Sequence, residues 1–179
     1  RAGPRRSKRR AEVRTGVRVG EDISFEDISA KHDAVFVGIG LGPDNHLGTP
    51  GEKLEGVYGA VDWIAQIKLG NFDLSSVQHA VVVGGGNTAL DCVRELAQLG
   101  VPKVTMAYRG NEAGMSGYAH EWAAAKTENA SAFWHSVPLE YVGDQKLESI
   151  RFQRLDESKR PIDGDEFTVD ADLVLVGVG

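Results

Sequence analysis

Residues 79–89 read HAVVVGGGNTA and carry the strongest indication of the fold in this sequence. Its first half is an apolar, β-branched run, which is typical of a strand covered on both faces. Three glycines follow, and residues 89–97 then carry apolar side chains at helical spacing up to Gly100. Residues 103–108 form a second apolar run. A strand, a helix and a strand within about 30 residues predict a right-handed crossover between parallel strands.

The glycines fit a phosphate-binding pattern. Gly84, Gly86 and Ala89 stand at the spacing G-x-G-x-x-A, between a strand and a helix. Glycine at the first position allows a sharp turn, glycine at the second lets a pyrophosphate approach the backbone, and alanine allows close helix packing. The helix N-terminus supplies free N–H groups and a positive dipole end. The predicted binding residues here are Gly84, Gly85, Gly86, Asn87 and Thr88; the alternative is a glycine-rich turn without a ligand.

The end of the second strand bears on the choice between NADPH and NADH. NAD sites usually place an acidic residue there, on the ribose 2′-hydroxyl. This strand ends at Tyr108-Arg109-Gly110, without an acid. A guanidinium suits a 2′-phosphate, and either Tyr108 or Arg109 can stack on adenine. Arg109 therefore favours NADPH and leaves NADH possible, while an exposed arginine with no ligand remains the alternative.

Other apolar runs predict the rest of the architecture. Residues 33–40 are interpreted as a buried strand that ends in glycines, and residues 57–69 as a helix. Further predicted elements are a helix at 116–128, a strand at 131–137, and antiparallel strands at 140–143, 146–155 and 166–169 with turns at Asp144-Gln145 and Asp163-Gly164. The final run, LVLVGVG, mirrors FVGIG at 36–40. Because these two similar runs lie on either side of the intervening residues, the pattern predicts that those residues form a domain inserted into a neighbouring one.

Composition excludes several classes of protein. The chain has 179 residues, no apolar run of eighteen, and one cysteine, Cys92. A membrane span, a disulfide framework and a cysteine-ligated cluster within this chain are therefore excluded. Residues 1–18 are strongly basic, but the rest of the chain is acidic and the net charge is −6, so we expect no nucleic-acid partner. The basic segment also lacks the apolar core of a secretory signal, so we expect a cytoplasmic protein.

The remaining reactive side chains support no catalytic or metal site. Cys92 lies on the apolar face of its predicted helix, so we expect a buried thiol. His120-Glu121 lacks the spacing of a metal-binding helix, and the other histidines are scattered singly. Trp63, Trp122 and Trp134 are expected to pack in the interior or at a domain interface. The sequence therefore identifies no catalytic residue and predicts no bound metal.

Three segments together resemble a known family. VVVGGGNTALDCVREL, KVTMAYRGNEAGMSGYAHE and DADLVLVGVG are similar to FAD-dependent pyridine nucleotide oxidoreductases of the glutamate synthase small-subunit and dihydropyrimidine dehydrogenase type. Residues 33–64 match as well, and the resemblance covers residues 17–179. One departure is Gly110, where the family commonly carries a second basic residue. The family's FAD fingerprint lies upstream of the matching segments, so we expect a piece of a longer protein.

The resemblance implies a fold and a function. It implies an α/β, Rossmann-like, three-layer NAD(P)-binding domain with an antiparallel β-meander, flanked by fragments of an FAD-binding domain. The expected division is a basic tail at 1–16, a partial FAD-binding domain and linker at 17–54, the NAD(P)H-binding domain at 55–170, and a return strand into the FAD-binding domain at 171–179.

The expected function is hydride transfer from NADPH, or NADH, to an FAD held mostly by residues outside this chain. The expected partner is an electron-accepting subunit or domain. By the resemblance, Gly40 and Gly179 lie in the two crossovers beside the flavin and the nicotinamide. The alternative is a nucleotide-binding module without turnover.

Overall fold

The structure, a computed structural model, describes residues 11–40, 42 and 44–178. The chain divides into two compact units, one up to residue 41 and one from residue 42 onward. The predicted basic tail at 1–16 therefore lies largely outside the described residues.

In its described residues, 11–40, the first unit contains one short helix, α1 (Phe25–Lys31). Ser24 caps it, because its hydroxyl accepts a hydrogen bond from the N–H of Asp27 at 3.0 Å. Sequence analysis missed this helix, although Ser24 and Asp27 form a capping pattern. The predicted strand at 33–40 is wrong for this structure. These residues are not assigned to a strand, and Phe36 is 94% exposed, because no described strand pairs with them.

The second unit carries every strand that the structure describes. In chain order its elements are β1 (Val57–Gly59), α2 (Ala60–Lys68), β2 (His79–Val83), α3 (Asn87–Gln98), β3 (Lys103–Tyr108), a 3₁₀ turn (Glu112–Gly114), α4 (Ala119–Thr127), β4 (Ser131–Trp134), β5 (Ser136–Gly143), β6 (Leu147–Leu155), β7 (Pro161–Asp170) and β8 (Leu173–Val176). Five strands form a parallel sheet in the order β1-β8-β2-β3-β4, and β5-β6-β7 form an antiparallel sheet.

The parallel sheet is the middle of three layers. Side chains from one face of its strands, such as Val82 and Leu175, pack with Trp63, Leu90 and Leu96 of the helices. Side chains from the other face pack with the antiparallel sheet; these are Val57, Val81, Val83, Ala107, Val174 and Val176. Burial on both faces explains why β2 and β8 are continuous apolar runs. The predicted α/β fold with a β-meander is confirmed.

The last strand corrects the predicted domain division. Residues 171–179 are predicted as a return strand into a neighbouring domain. Instead β8 lies inside the parallel sheet, where Val174 is the register partner of both Val57 in β1 and Val81 in β2. Among the described strands, β8 is the only neighbour of β1, and its four residues are all buried within this sheet.

Two other boundaries differ from the prediction. Residues 57–69 begin as a strand and become helical only at Ala60, since Val57 and Tyr58 pair with β8. The predicted strand at 131–137 is split at His135, whose φ of 52° turns the chain from the parallel sheet into the antiparallel one.

The predicted turn at Asp163-Gly164 is wrong, because both residues lie within β7. The turn between β6 and β7 lies at 156–160 instead. Asp156 stabilises it by accepting the backbone N–H of Arg160 at 2.9 Å, and Lys159 takes a φ of 62° there.

The helices in the described part of the chain are short. The longest, α3, has twelve residues, and none of these helices is long and apolar enough to cross a membrane.

A buried histidine lies at the amino edge of the parallel sheet. The Nδ1 of His79 lies 2.6 Å from the carbonyl oxygen of Asp170, and its Nε2 lies 3.0 Å from Oγ1 of Thr105. Burial, the largest influence, lowers the pKa of His79, reinforced by the nearby Lys103 and opposed by the carbonyl of Asp170 and the carboxylates of Asp170 and Asp172. The ring is therefore neutral in the folded protein at neutral pH, with Nδ1–H donating to Asp170.

This histidine predicts a pH dependence of stability. Below about pH 6.5 the unfolded chain binds a proton at His79 that the folded chain resists, so this contribution to the free energy of unfolding falls with falling pH. We expect urea unfolding between pH 7.5 and 5.5 to show a steeper loss for the unmodified chain than for His79→Gln. Equal pH slopes for the two proteins would contradict this role.

Candidate functional site

The glycine loop is built as the sequence predicts. Gly84 follows β2 with a φ of 135°, a region that residues with a side chain rarely adopt. A Cβ at Gly84 would collide with the carbonyl oxygen of Gly177 and come within 3.3 Å of Cβ of Ala89. The backbone N–H of Gly84 donates to the carbonyl of Ala107 at 2.9 Å. Gly84 therefore allows β2, β8 and α3 to meet at one point.

The N-terminus of α3 is open beside this turn. Gly86 is its N-cap, in extended backbone and without a side-chain cap, and the first turn holds no acidic residue. Among the described residues, no acceptor receives the backbone N–H groups of Gly86, Asn87 or Thr88. Unpaired N–H groups and the positive end of the helix dipole together form an anion-binding surface. This surface can hold a phosphate group.

Asn87 connects the glycine loop to the segment after β3. Its Oδ1 accepts the backbone N–H of Tyr118 at 3.1 Å, which leaves the amide NH₂ as the group that can donate to a ligand. The backbone N–H of Gly117 donates to the carbonyl of Gly85 at 2.9 Å. Residues 115–118 therefore form a wall of the site that sequence analysis did not predict. An isolated glycine at 117 was the only local signal.

Arg109 lies where the sequence places it, just beyond the end of β3. It is exposed, and it has no carboxylate partner among the residues that the structure describes. Ala107 in β3 is the register partner of Val83 in β2, so Arg109 is at the same sheet edge as the glycine loop. Its guanidinium is available for a phosphate.

Tyr108 packs against the glycine loop. A Cβ at Gly85 would lie 2.6 Å from the Tyr108 ring, and the Tyr108 hydroxyl donates to the carbonyl of Gly114 at 3.0 Å. Tyr108 therefore supports the glycine loop and the 3₁₀ turn.

The N-terminus of the neighbouring helix, α2, is already occupied by a carboxylate of this chain. The carboxylate of Asp44 accepts the backbone N–H groups of Val61 and Asp62, each at 3.0 Å, at the start of α2. Gly59 is needed there, because a Cβ would collide with Asp44. An acid at this position satisfies the helix end that a phosphate would otherwise occupy. Sequence analysis missed Asp44, which lies in a Gly/Pro-rich loop without periodicity.

The roles of the two remaining predicted site residues, Gly40 and Gly179, stay predictions. Gly40 belongs to the first unit and has a φ of 74°. Gly179 lies outside the described residues. Gly177, two residues earlier, donates its N–H to the carbonyl of Val83 at 2.8 Å, and a Cβ at Gly177 would lie 3.3 Å from Ala89. The carboxyl end of β8 therefore reaches the glycine loop.

Cys92 is a structural residue, as predicted. It is fully buried on α3, with Sγ 3.9 Å from the carbonyl oxygen of Ala60. Burial, reinforced by Asp91, raises the pKa of Cys92 to about 12, so its thiol is protonated at neutral pH. Trp63 and Trp122 are buried, as expected. Within the described residues no three His, Cys, Asp or Glu side chains cluster in a way that could hold a metal ion.

A shallow cavity of about 640 Å³ lies elsewhere, beside the ends of β4 and β6. Residues 132–135 and 154–157 line it, and none belongs to the glycine loop. Asp156 and Glu157 make part of its lining acidic, while Arg154 lies over the Phe167 ring at 4.4 Å. The open end of α3 is the better phosphate site, because it offers unpaired N–H donors.

Comparison with known proteins agrees with this geometry. The family model described as pyridine nucleotide-disulphide oxidoreductase matches residues 8–179. The chain belongs to this family. The glycine loop and its open helix end lie within the matched region.

Relatives with curated names agree with the resemblance predicted from the sequence. The glutamate synthase [NADPH] small chain of Halomonas elongata is 35% identical over 92% of this chain. The protein of the same name from Azospirillum brasilense is 32% identical over 90%. The predicted resemblance to the glutamate synthase small subunit is therefore confirmed. This chain spans 39% and 38% of these two relatives.

Solved structures support the fold. FprA of Mycobacterium tuberculosis, determined in complex with NADPH, aligns with a TM-score of 0.67 at 23% identity, over 91% of this chain and 53% of that chain. Thioredoxin reductase of T. acidophilum aligns with a TM-score of 0.59 at 21% identity, over 76% of this chain and 41% of that one.

Proposed function

We propose that this chain is the NAD(P)H-binding part of a flavin-dependent oxidoreductase that passes a hydride from NADPH to FAD and the electrons on to a further acceptor. The observation that carries the proposal is the open N-terminus of α3, whose unpaired N–H groups lie beside the glycine turn. In this proposal the loop at 84–88 holds the pyrophosphate. Arg109 binds the adenosine 2′-phosphate, and NADH is the weaker alternative because it lacks that phosphate.

The proposal assigns the two units different roles. The unit from residue 42 onward holds the NAD(P)H, and the segment up to residue 41 belongs to a flavin-binding domain. The apolar, exposed run at 35–39 supports this assignment, since such a run needs a neighbouring surface. FAD, which accepts the hydride when bound, is held mostly by residues outside this chain. Gly40 and Gly179 lie near the flavin and the nicotinamide.

The partner is proposed from the relatives. The relatives from Halomonas elongata and Azospirillum brasilense are both named glutamate synthase small chains, and their names specify NADPH. We propose that electrons leave the flavin for another subunit or domain, and that the whole protein works in the cytoplasm.

Titration with NADPH tests the dinucleotide site directly. Because a ligand that binds only the folded state stabilises it by mass action, we expect the melting temperature to rise with NADPH concentration. Tryptophan fluorescence follows the same titration. No change in either signal at millimolar NADPH and NADH would contradict the proposed function.

Arg109→Ala is expected to change the choice of nucleotide. Loss of the charged contact to the 2′-phosphate should weaken NADPH binding by about ten- to a hundredfold and leave NADH binding within about twofold. Lys103→Ala is the matched control, because it removes a positive charge from the opposite end of the same strand. Equal weakening of NADPH and NADH by Arg109→Ala would rule out the 2′-phosphate role.

A further inference from the structure

A serine hydroxyl faces the glycine loop from the opposite wall. Ser116 lies in the 115–118 wall and is exposed. A Cβ built on Gly86 would have Oγ of Ser116 at 3.7 Å, and apart from Gly86 and its two chain neighbours no other described atom lies within 4 Å of it. Gly86 is the position at which a pyrophosphate approaches the backbone in this type of loop. The Ser116 hydroxyl therefore borders the space that the phosphates would occupy.

The backbone on both sides of Ser116 is held in place. Before it, Gly114 receives a hydrogen bond from the Tyr108 hydroxyl at 3.0 Å and donates its N–H to Asn111 at 2.8 Å. After it, Gly117 donates to Gly85 at 2.9 Å. A Cβ at Gly117 would press on the Leu90 side chain, so this close approach requires glycine. A donor held this way loses little conformational entropy when a ligand binds.

The hydroxyl of Ser116 is also free to change its partner. Its contact in the structure is with the carbonyl oxygen of Gly85 at 3.5 Å, which is long for a hydrogen bond. That carbonyl already accepts the N–H of Gly117 at 2.9 Å and stays satisfied without the serine. The hydroxyl can therefore rotate towards an anion at no cost to the loop.

We propose that Ser116 is a further binding residue, whose hydroxyl donates a hydrogen bond to the pyrophosphate of the dinucleotide from the wall facing α3. This inference rests on the proposed function and adds a side-chain donor to the backbone donors of the helix. A pyrophosphate that accepts hydrogen bonds from the α3 backbone on one side and from Ser116 on the other is fixed in orientation as well as position. Ser116 is a binding residue and takes no part in bond making.

Four proteins test the proposal: the unmodified chain, Ser116→Ala, Ser116→Thr and Ser76→Ala. Ser76 lies in the turn before β2, at the opposite edge of the sheet, and serves as the matched control. Calorimetric titration measures the affinity for NADPH and for adenosine 2′-monophosphate, which has the 2′-phosphate but no pyrophosphate. Melting temperatures without ligand report on folding.

We expect Ser116→Ala to weaken NADPH binding about tenfold, the usual effect of losing a hydrogen bond to a charged group, and to leave adenosine 2′-monophosphate binding unchanged. Ser116→Thr keeps the hydroxyl and should stay within about twofold of the unmodified chain, as should Ser76→Ala. Unchanged NADPH affinity in Ser116→Ala, or equal weakening of both ligands, would overturn the inference. An unmodified chain that does not bind NADPH would overturn the proposed function as well.

Discussion

Gly84→Ala is expected to destabilise the folded chain by at least about 3 kcal/mol. The added Cβ would collide with the carbonyl oxygen of Gly177, which belongs to rigid backbone and cannot rotate away. The φ of 135° adds strain of its own, since such conformations cost about 1–3 kcal/mol for residues with a side chain. Overpacking adds a similar amount. Urea unfolding measures the loss, which is a large fraction of the total stability of a typical domain.

Gly100→Ala measures the cost of backbone strain without a steric collision, and so serves as the control for Gly84→Ala. Gly100 also has a positive φ, 86°, but a Cβ there meets no described atom within 4 Å. We expect this variant to lose about 1–2 kcal/mol, the cost of left-handed backbone alone. If Gly84→Ala were no more destabilising than Gly100→Ala, the close approach of β8 to the glycine turn would be wrong.

Gly86→Val is expected to have the opposite effect. The protein should remain folded but lose most of its affinity for NADPH. Gly86 has a φ of −88°, which any residue can adopt, and its nearest neighbour is Oγ of Ser116 at 3.7 Å. The protein therefore tolerates a side chain, but a bound pyrophosphate would meet it. We expect NADPH affinity to fall at least about a hundredfold, since the phosphates could no longer reach the helix N–H groups.

Melting temperature and a neighbouring variant control this experiment. The substituted N-cap costs no more than about 1 kcal/mol, so the melting temperature without ligand should move by only a few degrees. Ala113→Val adds the same bulk to an exposed position in the nearby 3₁₀ turn and should bind NADPH normally. Normal NADPH binding by Gly86→Val would place the pyrophosphate elsewhere.

The glycine loop and its flanking elements were predictable because their signals are local. Residues 80–83 of β2 are an unbroken apolar run, α3 has helical periodicity, and Gly84 marks a conformation that other residues avoid. Arg109 was found for the same reason, since its position follows from where β3 ends. Short-range patterns of this kind survive in the folded protein when tertiary contacts agree with them.

The features that sequence analysis missed depend on contacts between distant residues. Asp44 caps α2 from a loop that has no periodicity. Ser116 lies beside the glycine loop only because the N–H of the next residue, Gly117, donates to the carbonyl of Gly85. The break at His135 has no glycine to signal its positive φ. The place of β8 between β1 and β2 is likewise non-local, and neither composition nor periodicity encodes strand order.

The place of β8 in the sheet also governs how the chain reaches its native state on the ribosome. β8 is the last strand of the parallel sheet to be synthesised, yet it separates β1 from β2. Until it emerges, β2 has an unpaired apolar edge and β1 has no partner, whereas β5, β6 and β7, which precede β8 in the chain, can already pair with one another. Correct assembly therefore waits for a late insertion into an existing gap, a step of high contact order that exposes the nascent chain to aggregation and to chaperones.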